Sequence, residues 1–216
     1  MNEKGLNVTA KKIIIIIINL LTNWKCYDNM SITKGYRTKI LKGEYKMNKR
    51  VAELLNTQIN NEMYSAYLYL DMAVYYEKQG LDGYENWFTI QAKEEMDHAM
   101  LIMQYMQNND MEVNLLPIAK PDKIFEKYED PLYASLEHEK LVTSLIHEIY
   151  GAAYDIRDFR TMKFLDWFVD EQGEEEKNAS DMITRFELFG RDPKGLYELD
   201  NEYKARMYSA PSLVLD

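Results

Sequence analysis

The chain has a single cysteine, Cys26, among its 216 residues, so an intrachain disulfide is impossible and a cysteine-built zinc site is excluded. A reducing, cytoplasmic compartment fits that scarcity. Positive charge is also short. Lys and Arg number 26 against 36 Asp and Glu, for a formal net charge of -10. That balance argues against nucleic acid as a partner and describes an acidic protein able to attract cations. No apolar run reaches the ~20 residues that a membrane-spanning helix needs. The run from Ile13 to Leu21 is the most apolar and falls well short. Nor does any stretch show the strict alternation of a half-buried strand.

The first 46 residues do not match the rest. Ile13 to Ile18 stand in an unbroken row, followed by a patternless polar stretch. A signal-peptide core behind Lys11-Lys12 would need a small-residue cleavage pattern, which is missing. Lys42-Gly43-Glu44 back-translates to AAR-GGN-GAR, a ribosome-binding type of sequence at a suitable spacing before Met47, and the isoleucine tract reads as AT-rich upstream DNA. The expected division is therefore an unstructured N-terminal extension over 1–46 created by a mis-assigned start, a folded domain over 47–209, and a C-terminal tail over 210–216. Mass spectrometry of the native N-terminus tests this: a peptide covering 13–40 refutes it.

From Asn48 onward the pattern predicts helices over about 49–79, 83–109, 130–155 and 160–189, with a short fifth over 195–207. Gly80 suits the left-handed residue that ends the first helix. Asp130-Pro131 reads as an N-cap followed by proline at the first helical position. The first and last helix pairs have short links and are expected to pack antiparallel. Between them, Asp110 to Glu129 is long for a loop in a compact domain. Extended, it reaches ~60 Å, more than the ~39 Å of a 26-residue helix. It can therefore run the length of the bundle and deliver the third helix parallel to the second. The fold class is all-α, a four-helix bundle with one long crossover and a short C-terminal fifth helix.

Alternating steps of three and four residues trace the seams. The first helix gives Leu55, Ile59, Glu62, Ala66, Tyr69, Ala73 and Tyr76; the second gives Tyr84, Phe88, Gln91, Glu95, His98, Ile102 and Tyr105. The third gives Leu132, Leu136, Glu139, Thr143, Ile146, Tyr150 and Ala153, and the fourth Leu165, Phe168, Gln172, Glu175, Ala179, Met182 and Phe186. These are core stripes, yet each carries a glutamate in its interior. No Lys or Arg occupies a seam to pair with them. Unpaired buried carboxylates cost several kcal/mol each and repel one another; a pair of divalent or trivalent cations resolves the repulsion. Glu62, Glu95, His98, Glu139, Gln172 and Glu175 supply hard oxygens and one imidazole, a mix suited to iron or manganese.

Beside the seam, Glu171 and Glu174 lie one turn apart on the fourth helix and Glu94 adjoins Glu95. They read either as a solvated acidic face or as an auxiliary cation site. Tyr69 is either a core tyrosine or a neighbour of the metals. His138 and His147 fall outside the seams and are expected at the surface. Met96 points away from the seam. Gly173 inside a helix costs ~1 kcal/mol relative to alanine, with no account in the sequence.

Asn-Asn-Glu-Met-Tyr-Ser (60–65), Glu-Glu-Met-Asp-His (94–98), His-Glu-Lys-Leu (138–141), Asp-Trp-Phe-Val-Asp-Glu-Gln-Gly-Glu-Glu-Glu (166–176) and Gly-Leu-Tyr (195–197) come in the order and on the helices that resemble bacterial non-haem ferritin. The resemblance covers about 48–207. It implies a ferritin-like bundle and an iron storage protein with ferroxidase activity, oxidising Fe(II) with dioxygen or hydrogen peroxide at a di-iron centre and storing ferric mineral in a homo-oligomeric shell of 24 subunits. By the same resemblance, Glu62, Glu95 and His98 hold the first iron, with Glu95 bridging; Glu139 and Glu175 hold the second, with Gln172 near enough to ligate or position it. Tyr69 is implied as the tyrosine beside the centre, and Glu94, Glu171 and Glu174 as a third iron site. Bacterioferritins have a second Glu-x-x-His where this chain has Gln172-x-x-Glu175, and no haem is expected. The rival readings are a rubrerythrin-like di-iron enzyme that reduces peroxide and a metal-free helical interaction protein. Neither nucleic acid nor a membrane is an expected partner.

Overall fold

The computed structural model describes residues 48–215. The extension expected over 1–46, and its boundary at Met47, lie outside the described residues. Five helices follow in order: α1 (Lys49–Gln79), α2 (Asp82–Asn108), α3 (Asp130–Asp155), α4 (Phe159–Phe189) and α5 (Pro193–Lys204). There is no strand among the described residues, and none of their helices is long and apolar enough to cross a membrane. The architecture is an all-α four-helix bundle with a short C-terminal helix.

Local chemistry sets the helix ends. The Asn48 side chain caps α1 by accepting from Arg50 N. Gly80, at φ 72, turns the chain into the left-handed region. There its N–H donates to Glu77 O and Leu81 N donates to Tyr76 O, closing the helix in a Schellman motif. Asp158 caps α4 through Thr161 N, and Asp192 caps α5 through Lys194 N and Gly195 N. Asp130 departs from expectation: it is already helical, and its carboxylate accepts from Glu126 N and Lys127 N at 2.8 and 2.7 Å. It closes the turn before α3, and the N–H groups that a cap would serve, those of Leu132 and Tyr133, donate to Glu129 O instead. The start of α2 has no cap of its own. The gap is filled from a distance by Asp200 of α5, whose Oδ1 accepts from Gly83 N at 2.7 Å and Tyr84 N at 3.2 Å. Gly83 allows that approach, since a Cβ there would fall 1.7 Å from Asp200 O. A Cβ on Gly173 would meet nothing within 4 Å, so packing gives no account of that glycine either.

A two-residue link makes α1 and α2 antiparallel. Arg50 faces Glu148 near one end of the α1–α3 pair, and Tyr76 donates to Tyr128 O at the other, so α3 also runs antiparallel to α1. It follows that α2 and α3 are parallel, and the 109–129 segment is the crossover that makes this possible. That crossover is fastened to α1: Asn56 Nδ2 donates to Asn114 O at 2.8 Å and Asn56 Oδ1 accepts from Asn114 N at 2.7 Å.

Nearly every seam position is buried. Leu136, Thr143 and Tyr150 of α3 are only half-buried, because α3 packs on α1 and α4 and leaves one shoulder to solvent. The apolar core falls into two clusters. One gathers Leu55, Ile102, Ile146 and Phe168; the other gathers Tyr76, Phe88, Leu132 and Phe186 with Leu199 of α5. Residues 205–215 form no helix, yet Leu213 and Leu215 pack against the first cluster.

Candidate metal centre

Between the two clusters the four helices turn polar side chains inward. Glu62 (α1), Glu95 and His98 (α2), Glu139 (α3), and Gln172 and Glu175 (α4) are all at most 5% exposed. Glu62, Glu95 and His98 bring one ligand atom each to within 4.8 Å of one another, and His98, Glu171 and Glu175 form a second such group. His98 lies 3.6 Å from Glu95 through Nδ1 and 3.9 Å from Glu171 through Nε2. These spacings are too long for hydrogen bonds and leave room for a cation between the groups.

Neutral amides support the carboxylates. Gln58 Nε2 donates to Glu62 Oε1 at 2.8 Å, and Gln91 Nε2 donates to Glu95 Oε1 at 3.2 Å. On the opposite side, Gln172 Nε2 donates to Glu139 Oε2 at 3.1 Å, and the Tyr69 hydroxyl donates to Glu139 Oε1. An amide satisfies one carboxylate oxygen without cancelling its charge. Glu62 Oε2 is then left buried with no hydrogen-bond donor and faces the like-charged Glu95, which is costly for an oxygen that has only protein to face. Oxygen-rich donors with one imidazole suit a hard cation, so the residues fit iron.

Electrostatics describe the same tension. Burial, followed by repulsion from Glu95, pushes the Glu62 and Glu139 carboxyls from 4.5 up to about 8. Glu95 and Glu175 are raised too, first by burial, then by Glu175 acting on Glu95 and Glu139 on Glu175. Tyr69, fully enclosed beside these carboxylates, is raised well above its ordinary value.

The auxiliary residues are not gathered together. Glu171 is half-buried and joins His98 and Glu175, whereas Glu174 is exposed. Glu94 is paired with Arg206, whose Nη2 reaches its Oε2 at 2.5 Å, while it still repels Glu95 and Glu175. His138 departs from the surface expectation. It is half-buried, its Nε2 lies 2.7 Å from Ser65 Oγ, and burial pushes its pKa down to about 4. The crowding of α1 against α3 encloses a position just off the seam. His147 is exposed, and Met96 is 41% exposed on the outward side of α2.

Three supporting residues escaped the sequence pattern. Gln58 lies outside the seam but stands four residues before Glu62, as Gln91 stands before Glu95; that repeated Gln-x-x-x-Glu spacing was the available signal. Arg206 had none, because it reaches α2 from beyond α5. Trp167 packs edge-on to His98 with ring centroids 5.5 Å apart.

Residues 52–189 match the family model for the ferritin-like domain. A probable bacterial non-heme ferritin-like protein of Haemophilus influenzae is 33% identical over 156 residues, covering 72% of this chain and 94% of its own. The bacterial non-heme ferritin of Campylobacter jejuni is 35% identical over 158 residues, covering 73% and 95%. Among solved structures, an open pore ferritin from Archaeoglobus fulgidus superposes with a TM-score of 0.73 at 38% identity, over 74% of this chain and 98% of that one.

Proposed function

The chain belongs to the ferritin family, and from that premise we propose that it is an iron storage protein with ferroxidase activity. Its substrates are Fe(II) and either dioxygen or hydrogen peroxide; its product, Fe(III), is kept as a mineral within a shell of 24 copies. Glu62, Glu95 and His98 would hold the first iron, with Glu95 shared, while Glu139 and Glu175 would hold the second, with Gln172 near enough to ligate or position it. Glu94, Glu171 and Glu174 belong to an outer, third position. The observation that carries this reading is the donor-less Glu62 Oε2, enclosed beside Glu95 and His98 where a cation completes its coordination.

The reaction balances simply. Two Fe(II) give one electron each; dioxygen takes both with two protons and becomes hydrogen peroxide, or hydrogen peroxide takes both with two protons and becomes two waters. The protein's part is to collect, orient and shield. Its carboxyls carry protons in the metal-free state, since burial raises all four glutamates of the centre. Entry of a cation displaces those protons and leaves the charged oxygens that favour the trivalent product. Tyr69 holds a proton at its hydroxyl against Glu139. The neutral Gln172 keeps the second position weaker than the first, which favours release of Fe(III) toward storage.

Size-exclusion chromatography of the chain from Met47, combined with stopped-flow Fe(II) oxidation, tests both halves. A shell-sized particle with rapid oxidation is expected. A small oligomer that turns over peroxide only with an added electron donor favours the rubrerythrin-like reading instead.

A further inference from the structure

Among the described residues, Arg206, the second residue after α5, is the only Lys or Arg that pairs with an outer carboxylate. Three neutral groups place it. Its Nη1 donates to Trp87 O at 2.9 Å, its Nη2 to Gln91 Oε1 at 3.1 Å, and its guanidinium carbon stands 4.3 Å from the centre of the Trp87 ring. Asn86 Nδ2 fixes the backbone by donating to Arg206 O at 3.1 Å. The tail continues along α2 and α4: Tyr208 donates to Asp97 Oδ2, Trp167 Nε1 donates to Ser212 Oγ, and Gln104 Nε2 donates to Leu215 O. The guanidinium is thus held by anchors that carry no charge, and Glu94 comes to it. Both partners of that pair are mostly enclosed, with side chains 20% and 18% exposed. Charge-assisted hydrogen bonds at such sites are strong, and arginine gives them a fixed geometry.

Among the outer carboxylates, Glu171 groups with His98 and Glu175, whereas Glu94 is paired with Arg206. Resting on the assignment of an outer metal position, we propose that Arg206 is a built-in counter-ion that competes with metal for Glu94, so that this position binds cations weakly. A metal ion that uses Glu94 must first take the carboxylate from the guanidinium. Gln91 ties this contact inward, because the same amide that accepts from Arg206 donates to Glu95. The tail therefore acts as a specificity-determining element for occupancy outside the di-iron pair.

Anaerobic Co(II) titration by calorimetry tests the idea on the assembled full chain, using the unaltered protein, Arg206→Gln, Glu94→Gln and the double variant. Arg206→Gln is expected to tighten the weak binding class about tenfold, equivalent to ~1.4 kcal/mol, and to leave the tight class within about twofold. Glu94→Gln alone is expected to change the weak class less than about threefold, because Glu94 is already taken. In the Arg206→Gln background the same change is expected to reverse the whole gain. An equal shift of every class, or a gain that survives Glu94→Gln, shows long-range charge only and overturns the proposal. A full loss of the weak class in Glu94→Gln alone also overturns it, and that arm does not depend on how Arg206→Gln folds. Absence of the tight class in the unaltered protein would instead fault the metal centre itself.

Discussion

Toward one end of the bundle the seams hold Leu55, Ile102, Ile146 and Phe168, and toward the other Tyr76, Phe88, Leu132 and Phe186; at the waist the same periodicity delivers Glu62, Glu95, Glu139 and Glu175. Ends and waist are equally enclosed, so burial does not distinguish them. What differs is whether enclosure is favourable. At the ends it removes apolar surface from water and stabilises the fold. At the waist it raises carboxyl pKa values and leaves Glu62 Oε2 without a hydrogen-bond donor. The ends carry the energy that keeps the waist assembled while it waits for a ligand.

The comparison breaks most sharply with Glu95→Ala. Removing the carboxylate proposed to bridge the two irons is expected to lower the initial rate of Fe(II) oxidation by at least about a hundredfold, ~2.7 kcal/mol of barrier, while size-exclusion still reports an intact particle. An unchanged initial rate refutes the assignment of the site. At the ends the effect inverts. Phe88→Ala is expected to cost ~3–5 kcal/mol of stability, seen in chemical denaturation, with folded molecules still binding metal.

A pH series sharpens the contrast. Glu62 and Glu139 keep their protons in the fold up to about 8, but in the unfolded chain only to 4.5. Between these values the folded state binds more protons, so the stability of the metal-free protein falls as pH rises through that window and levels off above it. Thermal melts should show Tm dropping by roughly 5 °C or more between about pH 6 and about pH 8.5 without metal, and little change with metal bound. A flat metal-free profile shows that the waist carries no such strain. The smallest effect belongs to Asp200→Ala, which uncaps α2 and is expected to cost ~1 kcal/mol with oxidation rates unchanged.

Much of this was legible because it is periodic. The seam positions on α1, α2 and α4 are buried as the three-four spacing predicts, and the polar residues interrupting them converge on one level. What was not legible depends on partners distant in sequence. Asp200 caps α2 from α5, Arg206 holds Glu94 from the tail, and His138 is enclosed by α1, none of which a pattern along one helix encodes. Asp130-Pro131 misled for a local reason: both the expected cap and the observed turn use an aspartate before proline.

Each hairpin carries its own half of the centre. Glu62, Glu95 and His98 come from α1–α2, and Glu139, Gln172 and Glu175 from α3–α4, with the crossover as their only covalent link among the described residues. Cations that bridge these halves bind the docked pair and not the separated ones, so loading at a hundred times the dissociation constant adds ~2.7 kcal/mol to the folded state. The cargo thereby becomes a clasp. On that arithmetic a subunit emptied of cations opens more readily than a loaded one.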